Sequence, residues 1–310
     1  MGTKTVMVLG GSGMLGAMVV DAFYRDAGLH VTATVREESL LSQWRSLYPS
    51  VSWTTLDAEH SPEEEIASRL EGCFWVVNCI GVIKPYIHDD RAPEVERAVR
   101  VNALFPYLLG RAAGRLGARV LQIATDCVYS GARGEYRESD PHDALDVYGK
   151  TKSLGEARLP NVHHLRCSII GPEPKAFRSL LEWFRRQPEN ASVGGYTNHG
   201  WNGVTTLHFA RICLGIVRED LPLPHLQHVV PEGAVSKDVL LRQFAQAYGR
   251  GDVRIDAVEA KTVVDRTLTT ESGDGNLALW NAAGYPSPAT VGQMVAELGK
   301  GDYPWQVGNR

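Results

Sequence analysis

The sequence predicts an α/β protein: a doubly wound parallel sheet followed by a smaller mixed α/β lobe. Three observations carry this. Short apolar runs of strand length alternate with helix-length segments through the first 170 residues. A glycine-rich turn joins the first of these runs to the first helix. Beyond Pro172 and Pro174 the alternation gives way to Gly/Asn-rich loops with short helices and strands. The chain is therefore expected to divide into residues 1–170 and residues 171–310. The two parts should share one cleft, and later segments are free to return to the sheet.

Thr5–Leu9 is a short apolar run ending at Gly10, the pattern of a buried parallel strand. Leu15–Arg25 has helical spacing. Val31–Val35 and Val51–Leu56 read as the second and third strands, the latter ending before Asp57. Ser61–Leu70 reads as a helix capped by Ser61 with Pro62 at its first position. Phe74–Ile80 is the fourth strand, Pro93–Leu116 a long helix and Arg119–Ala124 the fifth strand. A helix is expected from Tyr148, then the strand Val162–Ile170, then an amphipathic helix Ala176–Arg186 carrying Trp183 and Phe184. Neither internal repeats nor low-complexity tracts interrupt the pattern.

The 310 residues are 44% hydrophobic, enough for a sizeable core. The net charge is −4 and no long run of Lys and Arg occurs, which argues against a broad nucleic-acid surface. An anionic ligand would have to be held by a few placed basic residues and by backbone amides. Five cysteines without a CxxC pair read as buried free thiols of a reducing compartment. The ten histidines form no HExxH or Cys/His cluster, and the pair His163–His164 reads as flanking a strand, so no metal site is expected. No apolar run approaches a membrane span. The N-terminal Met-Gly-Thr-Lys leads at once into a strand, with no signal peptide, and a cytoplasmic location is expected.

Val8-Leu9-Gly10-Gly11-Ser12-Gly13-Met14-Leu15-Gly16 is a GxxGxxG turn between strand and helix. Gly10 permits the tight turn, Gly13 lets a pyrophosphate approach the backbone, and Gly16 lets the helix pack closely. The helix N-terminus adds free amides, with Ser12, Met14 and Leu15 completing the cradle. This is the signature of a dinucleotide site of the Rossmann type. An NAD site wants a carboxylate at the end of the second strand. Here Val35 sits about where it would be, and no acid occurs until Glu37. Arg36 is instead placed to pair with a 2′-phosphate, so NADP(H) is the expected cofactor. Asp57, at the end of the third strand, could accept a hydrogen bond from the adenine amino group. Cys79, Ile80 and Gly81 end the fourth strand beside the cofactor, and Gly81 permits close backbone approach.

Tyr148 and Lys152 stand at i and i+4, on one face of a helix. A tyrosine works as an acid–base group only when its surroundings tune it, and a lysine cation nearby lowers its pKa. Lys152 can also hold the nicotinamide ribose. The fifth strand runs into Thr125-Asp126-Cys127-Val128-Tyr129-Ser130-Gly131 at the end where open α/β sheets bind ligands, so Thr125 can offer its hydroxyl to a substrate oxygen. Asn102 lies inside the long helix, where Asn is a poor helix former, which suggests a buried hydrogen-bonding role.

Together these features resemble the extended short-chain dehydrogenases/reductases. Within them, Thr-Asp-x-Val-Tyr-x-Gly followed by Tyr-Gly-Lys-Thr-Lys-x-x-Gly-Glu is similar to the dTDP-4-dehydrorhamnose reductase group, as is the later Asp265-Arg266-Thr267-Leu268. The resemblance implies a catalytic set of Thr125, Tyr148 and Lys152. It implies cofactor contacts from Gly10, Gly13, Gly16, Arg36 and Asn102. The implied reaction is NADPH-dependent reduction of a keto group, at C4, on a nucleotide-diphosphate sugar. Lys84, Val128, Trp201, Asn202, Arg266 and Lys237 are candidates for the substrate side.

The chain also departs from its relatives. Cys127 follows Asp126 where sugar-nucleotide dehydratases of the wider family carry a glutamate, which argues against 4,6-dehydration. The stretches Gly81–Tyr86 and Gly195–Gly203 do not match the common reductase text and leave the sugar open. Two other outcomes suit the same sequence: an NAD(P)-dependent nucleotide-sugar epimerase, and a non-catalytic NADP-binding subunit like the regulatory subunit of methionine adenosyltransferase. A homodimer is compatible with the sequence, which leaves the oligomeric state open.

Overall fold

The computed structural model describes residues 4–306. The first half alternates as expected: β1 (Lys4–Leu9), α1 (Met14–Tyr24), β2 (Leu29–Val35), α2 (Leu41–Leu47), β3 (Ser52–Thr55), α3 (Glu63–Arg69), β4 (Trp75–Asn78), α4 (Ala92–Ala98), α5 (Phe105–Arg115), β5 (Arg119–Thr125), α6 (Val147–Leu154) and β6 (Val162–Cys167). The second half contains β7 (Ile169–Ile170), α7 (Leu180–Arg185), β8 (Ser192–Tyr196), β9 (Gly200–Trp201), β10 (Val204–Thr205), α8 (Thr206–Glu219), β11 (Leu226–His228), β12 (Val235–Ser236), α9 (Lys237–Ala247), β13 (Arg254–Val258), α10 (Gly273–Ala282) and α11 (Val291–Lys300).

The main sheet has seven strands in the order β11-β6-β5-β4-β1-β2-β3, all paired in parallel. Parallel strands are covered on both faces, so they read as unbroken apolar runs. In β1, Val6 and Val8 enter one core with α1 and α8, while Met7 and Leu9 enter the other with α3 and α5. Strand order reverses at β1, which lies between β2 and β4. Ligands bind at such a switch point, beyond the strands' C-terminal ends. The C-terminal half is not a separate layer: β11 returns to the sheet edge beside β6, and α8 packs on α1.

Several local expectations are corrected. Ser61 caps nothing; the helix begins at Glu63 with Pro62 as its N-cap. The long helix is interrupted at Val99–Leu104 by a π-helical turn, beyond which Pro106 opens α5. The strand Val162–Ile170 breaks at Ser168, so that β7 leaves the sheet to pair with β10. The helix expected from Ala176 starts only at Leu180. Ala176 and Phe177 have positive φ, the Glu173 carboxylate accepts from the Arg178 and Ser179 amides, and Ser179 caps the helix. His163 and His164 lie within β6, hydrogen-bonded to the Pro224 and Ala157 carbonyls. All five cysteines are free. Among the described residues no helix is long and apolar enough to cross a membrane.

Candidate active site

The glycine turn is built by three different constraints. Gly10 has φ 76°, in the left-handed region. Its amide donates to Thr34 Oγ1 at 3.1 Å, and the Gly11 amide donates to the Thr34 carbonyl at 2.8 Å, pinning the turn to β2. A Cβ on Gly16 would lie 2.1 Å from the Gly10 carbonyl oxygen, so only glycine lets α1 start this close. A Cβ on Gly11 would lie 2.9 Å from the Trp53 ring. Gly13 differs: a Cβ there would meet only the Gly10 carbonyl, at 3.4 Å. The fold does not itself demand glycine at Gly13, and an approaching phosphate would. Gly13 is also the N-cap of α1, with no side chain capping the helix and no acid in its first turn. That end of the helix is therefore left for an anion.

Arg36 follows β2 with half its side chain in solvent, and among the described residues it hydrogen-bonds only Glu37, in an exposed pair at 2.9 Å. Such pairs are weak and give way readily to a stronger anion. The pair also ties up the nearest carboxylate that could have served ribose hydroxyls. Asp57 turns back on its own loop, accepting from the Glu59 amide at 3.0 Å and facing His60 Nδ1 at 2.8 Å. Burial pushes its carboxyl up, but these partners outweigh burial and hold it below its usual range. These residues fit a dinucleotide carrying an extra phosphate on its adenosine ribose.

The loop after β4 is held from below. Asn78 Nδ2 donates to Gln122 Oε1 at 2.7 Å, and Asn78 Oδ1 accepts from the Ile80 amide at 3.1 Å. The Cys79 amide donates to the Leu9 carbonyl, and Ile80 lies against Gly10, so the two strand ends meet. Asn102 sits in the π-helical turn. Its amide closes a two-bond ring on the Val82 backbone, donating to the carbonyl at 2.9 Å and accepting from the N–H at 2.8 Å. This corrects the expectation of direct cofactor contact: both ends of the amide are taken by the loop that carries Gly81.

Thr125, Tyr148 and Lys152 converge beyond β5. Asp146 caps α6 by accepting from the Gly149 amide at 2.7 Å. A Cβ on Gly149 would lie 2.6 Å from the Cys127 carbonyl, so this glycine lets the helix sit against the end of β5. The Thr125 hydroxyl accepts from the Cys127 amide at 3.2 Å, donates to the buried Asp126 Oδ1 at 3.3 Å, and acts on the Tyr148 phenol. Burial raises the Tyr148 phenol; Cys127 adds to this, and Thr125 opposes it. The sequence reading expected Lys152 to lower it. Instead Lys152 Nζ donates to the Ile123 carbonyl at 3.1 Å, and burial pulls the ammonium down to about 8. The tyrosine is thus held as a neutral phenol, the form a proton donor needs.

On the substrate side the structure sorts the candidates. Arg266 donates to the Tyr129 and Ser130 carbonyls. It and Lys237, the first residue of α9, both lie within electrostatic reach of the buried Asp126. Burial pulls Lys237 down to about 8. Lys84 pairs with Asp146 at 2.7 Å and so ties the β4 loop to α6. Three candidates are corrected. Val128 is 0% exposed, packed with Tyr129, Tyr136 and Leu268. Trp201 is 4% exposed, its indole N–H donating to Ser168 Oγ at 2.9 Å, so it is a core wall rather than a stacking platform. Asn202 is closed onto the Leu268 backbone by two hydrogen bonds. Sequence reading missed Asp146, although Asp three before Gly at a helix start is a capping pattern. It also missed the partner of Glu156, the fully buried Arg166 at 2.5 Å, which no local pattern marks.

The family profile described as the RmlD substrate binding domain matches residues 4–170. The chain belongs to that family. A dTDP-4-dehydrorhamnose reductase of Streptomyces griseus is 33% identical over 157 residues, 50% of this chain and 45% of the relative. The methionine adenosyltransferase 2 subunit beta of Bos taurus is 26% identical over 153 residues, 49% of this chain and 42% of the relative. The chain thus matches under half the length of these curated relatives. A dTDP-4-dehydrorhamnose reductase of Bacillus anthracis, solved in complex with NADP, superposes with a TM-score of 0.71 at 15% identity, covering 96% of this chain and 99% of that one. At that identity the likeness is one of fold. The RmlD family match ends at residue 170, where β7 leaves the main sheet.

Proposed function

We propose that this chain is an NADPH-dependent reductase of a keto group, at C4, on a nucleotide-diphosphate 4-keto-sugar. One observation carries the reading: a neutral, half-buried Tyr148 phenol stands beside Thr125 and Lys152 at the sheet end where the glycine turn and the weakly paired Arg36 would hold NADPH. When bound, the reduced nicotinamide supplies the hydride. The protein supplies orientation and a proton. The Tyr148 O–H donates its proton to the substrate carbonyl oxygen as negative charge develops there, and the Thr125 hydroxyl donates a hydrogen bond to the same oxygen. Lys152 keeps a cation near the phenol as it loses its proton. Lys237 and Arg266 offer positive charge to the diphosphate.

The match to the methionine adenosyltransferase subunit supports a second reading, an NADP-binding regulatory partner. The complete Thr125, Tyr148 and Lys152 set supports catalysis over it, since a purely regulatory subunit has no use for a proton donor. The test is incubation with NADPH and a panel of 4-keto nucleotide sugars while nicotinamide absorbance is followed, with Tyr148→Phe beside wild type. Turnover should appear for at least one sugar in wild type. It should fall by at least about 10³-fold in the variant, the scale of a lost general acid, while NADPH titrates with unchanged affinity. Full activity in Y148F would remove the proposed acid. No turnover across the panel, with a stable heteromeric partner, would favour the regulatory reading.

A further inference from the structure

The loop between β4 and α4 contains the stretch Gly81–Tyr86, where the sequence departs from its relatives. Its frame is fixed. Val82 and Ile87 are buried in the core formed with α3 and α5. Asn102 takes both polar groups of the Val82 backbone, and the His88 amide donates to Glu94 Oε2 on α4 at 2.8 Å. From this frame two side chains reach across to the start of α6. Lys84 Nζ donates to Asp146 Oδ2 at 2.7 Å, while Asp146 Oδ1 accepts from the Gly149 amide at 2.7 Å. The Val147 amide donates to the Asp89 carboxyl, 3.3 and 3.2 Å from its two oxygens. The first amides of a helix have no partner within it. Val147 and Gly149, the first and third residues of α6, find theirs in Asp89 and Asp146, and the half-buried Tyr148 stands between them. The far end of α6 is held separately: Lys152 Nζ donates to the Ile123 carbonyl at 3.1 Å, and a Cβ on Gly155 would run into the Asn102 carbonyl.

We propose that the β4–α4 loop is a strap on the helix that carries the proton donor, and that Asp89 is a positioning residue for Tyr148. The role rests on the reductase reading above. Asp89 is exposed, and among the described residues its carboxyl has one hydrogen-bond partner, the Val147 amide. Its task is therefore not core packing. By holding the N–H of the residue before Tyr148, it fixes the backbone from which the phenol projects. A proton donor that must meet a carbonyl oxygen tolerates little drift, since a displacement of about 1 Å costs on the order of 10²-fold in rate. Lys84 ties the same turn from the other side through Asp146, with more than half of its side chain in solvent, and exposed pairs of this kind are weak. Lys84 is also a candidate for the substrate side, so the two roles would be confounded in its variants. Asp89 has no such second role.

The test compares Asp89→Ala, which removes the acceptor, with Asp89→Asn, which keeps one. Both should melt within about 2 °C of wild type, as surface substitutions do. In the free protein, hydrogen exchange read by mass spectrometry should show the amides of residues 146–150 exchanging at least about tenfold faster in the alanine variant. Asparagine should restore most of the protection. With NADPH and an accepted 4-keto sugar, kcat should fall about tenfold or more in D89A and recover in D89N. NADPH affinity and the KM for the sugar should stay at their wild-type values, because Lys152 keeps its own anchor. Unchanged exchange over residues 146–150 in D89A overturns the proposal. So does faster exchange with wild-type kcat, and so does a loss of kcat matched by an equal loss of NADPH affinity, since that reports displacement of the whole helix. Exchange needs no turnover. If wild type reduces no sugar, the reductase reading fails, and the exchange result still decides whether Asp89 holds the helix.

Discussion

A methyl group added to Gly16 would lie 2.1 Å from the Gly10 carbonyl oxygen, whereas one added to Gly13 meets the same oxygen at 3.4 Å, an ordinary contact. The fold thus demands the first glycine and not the second, which on the proposed function answers to the cofactor. Gly16→Ala should force α1 away from the turn and destabilise the protein by about 1–3 kcal/mol, the usual result of overpacking. Gly13→Ala should leave stability within about 0.5 kcal/mol and weaken NADPH binding at least about tenfold. Thermal melts and fluorescence titration of the two variants check this. Equal melting points, or NADPH affinity intact in G13A, would show that the distinction is wrong. The same separation applies to the proposed catalytic residues. Glycine turn, Thr125, Tyr148 and Lys152 are legible in sequence because strand ends and helical spacing place them locally. The Lys237–Asp126 and Arg166–Glu156 relations are not, because tertiary packing alone brings their elements together.

Among the elements, the helix that carries Asn102 departs furthest from its sequence pattern. The apolar spacing reads as one continuous helix, but one extra backbone residue per turn at Val99–Leu104 turns Asn102 inward. An Asn inside a helix signals burial but does not name its partner. That partner is the Val82 backbone, whose N–H and C=O would otherwise be buried without hydrogen bonds. Asn102→Ala should therefore cost about 2–4 kcal/mol, the scale of two buried backbone groups left unpaired. It should also loosen Cys79–Val82 and, on the proposed function, weaken NADPH binding. Asn102→Asp keeps the acceptor for the Val82 N–H and should lose less. Urea unfolding and NADPH titration distinguish the outcomes; an alanine variant that is weaker in stability only would confine Asn102 to folding. The Ala176–Arg186 expectation failed for a related reason: the amphipathic pattern is real, but the Glu173 carboxylate captures the amides that would have started the helix earlier.

At the scale of the whole molecule, the sheet and its switch point are readable from strand-length apolar runs, because both faces of a parallel sheet must be dry. The C-terminal half is less readable because its pairings join distant short segments, as β8 with β13 and β11 with β6. That packing buries histidines, and burial keeps them uncharged. His208 is held by Thr205 Oγ1 at 2.7 Å and the Tyr285 hydroxyl at 2.9 Å, and His164 by the Ala157 carbonyl at 3.2 Å. Burial pulls both imidazoles down from 6.5 to about 4. In the unfolded chain they take up a proton near pH 6.5, and in the folded chain only near pH 4. Between those values the unfolded state binds more protons, so the histidines' contribution to stability falls as pH drops through this window and is constant above it. Each histidine contributes a slope of at most about 1.4 kcal/mol per pH unit. Four more, His142, His163, His225 and His228, are shifted in the same direction and steepen the fall. Urea midpoints between pH 4.5 and 8, in steps of about half a unit, should trace this curve. His208→Gln should be less stable at neutral pH yet lose less on acidification than wild type does. Parallel curves for the two proteins would mean that His208 takes no part in the acid sensitivity, which would then have to come from the sheet-side histidines alone.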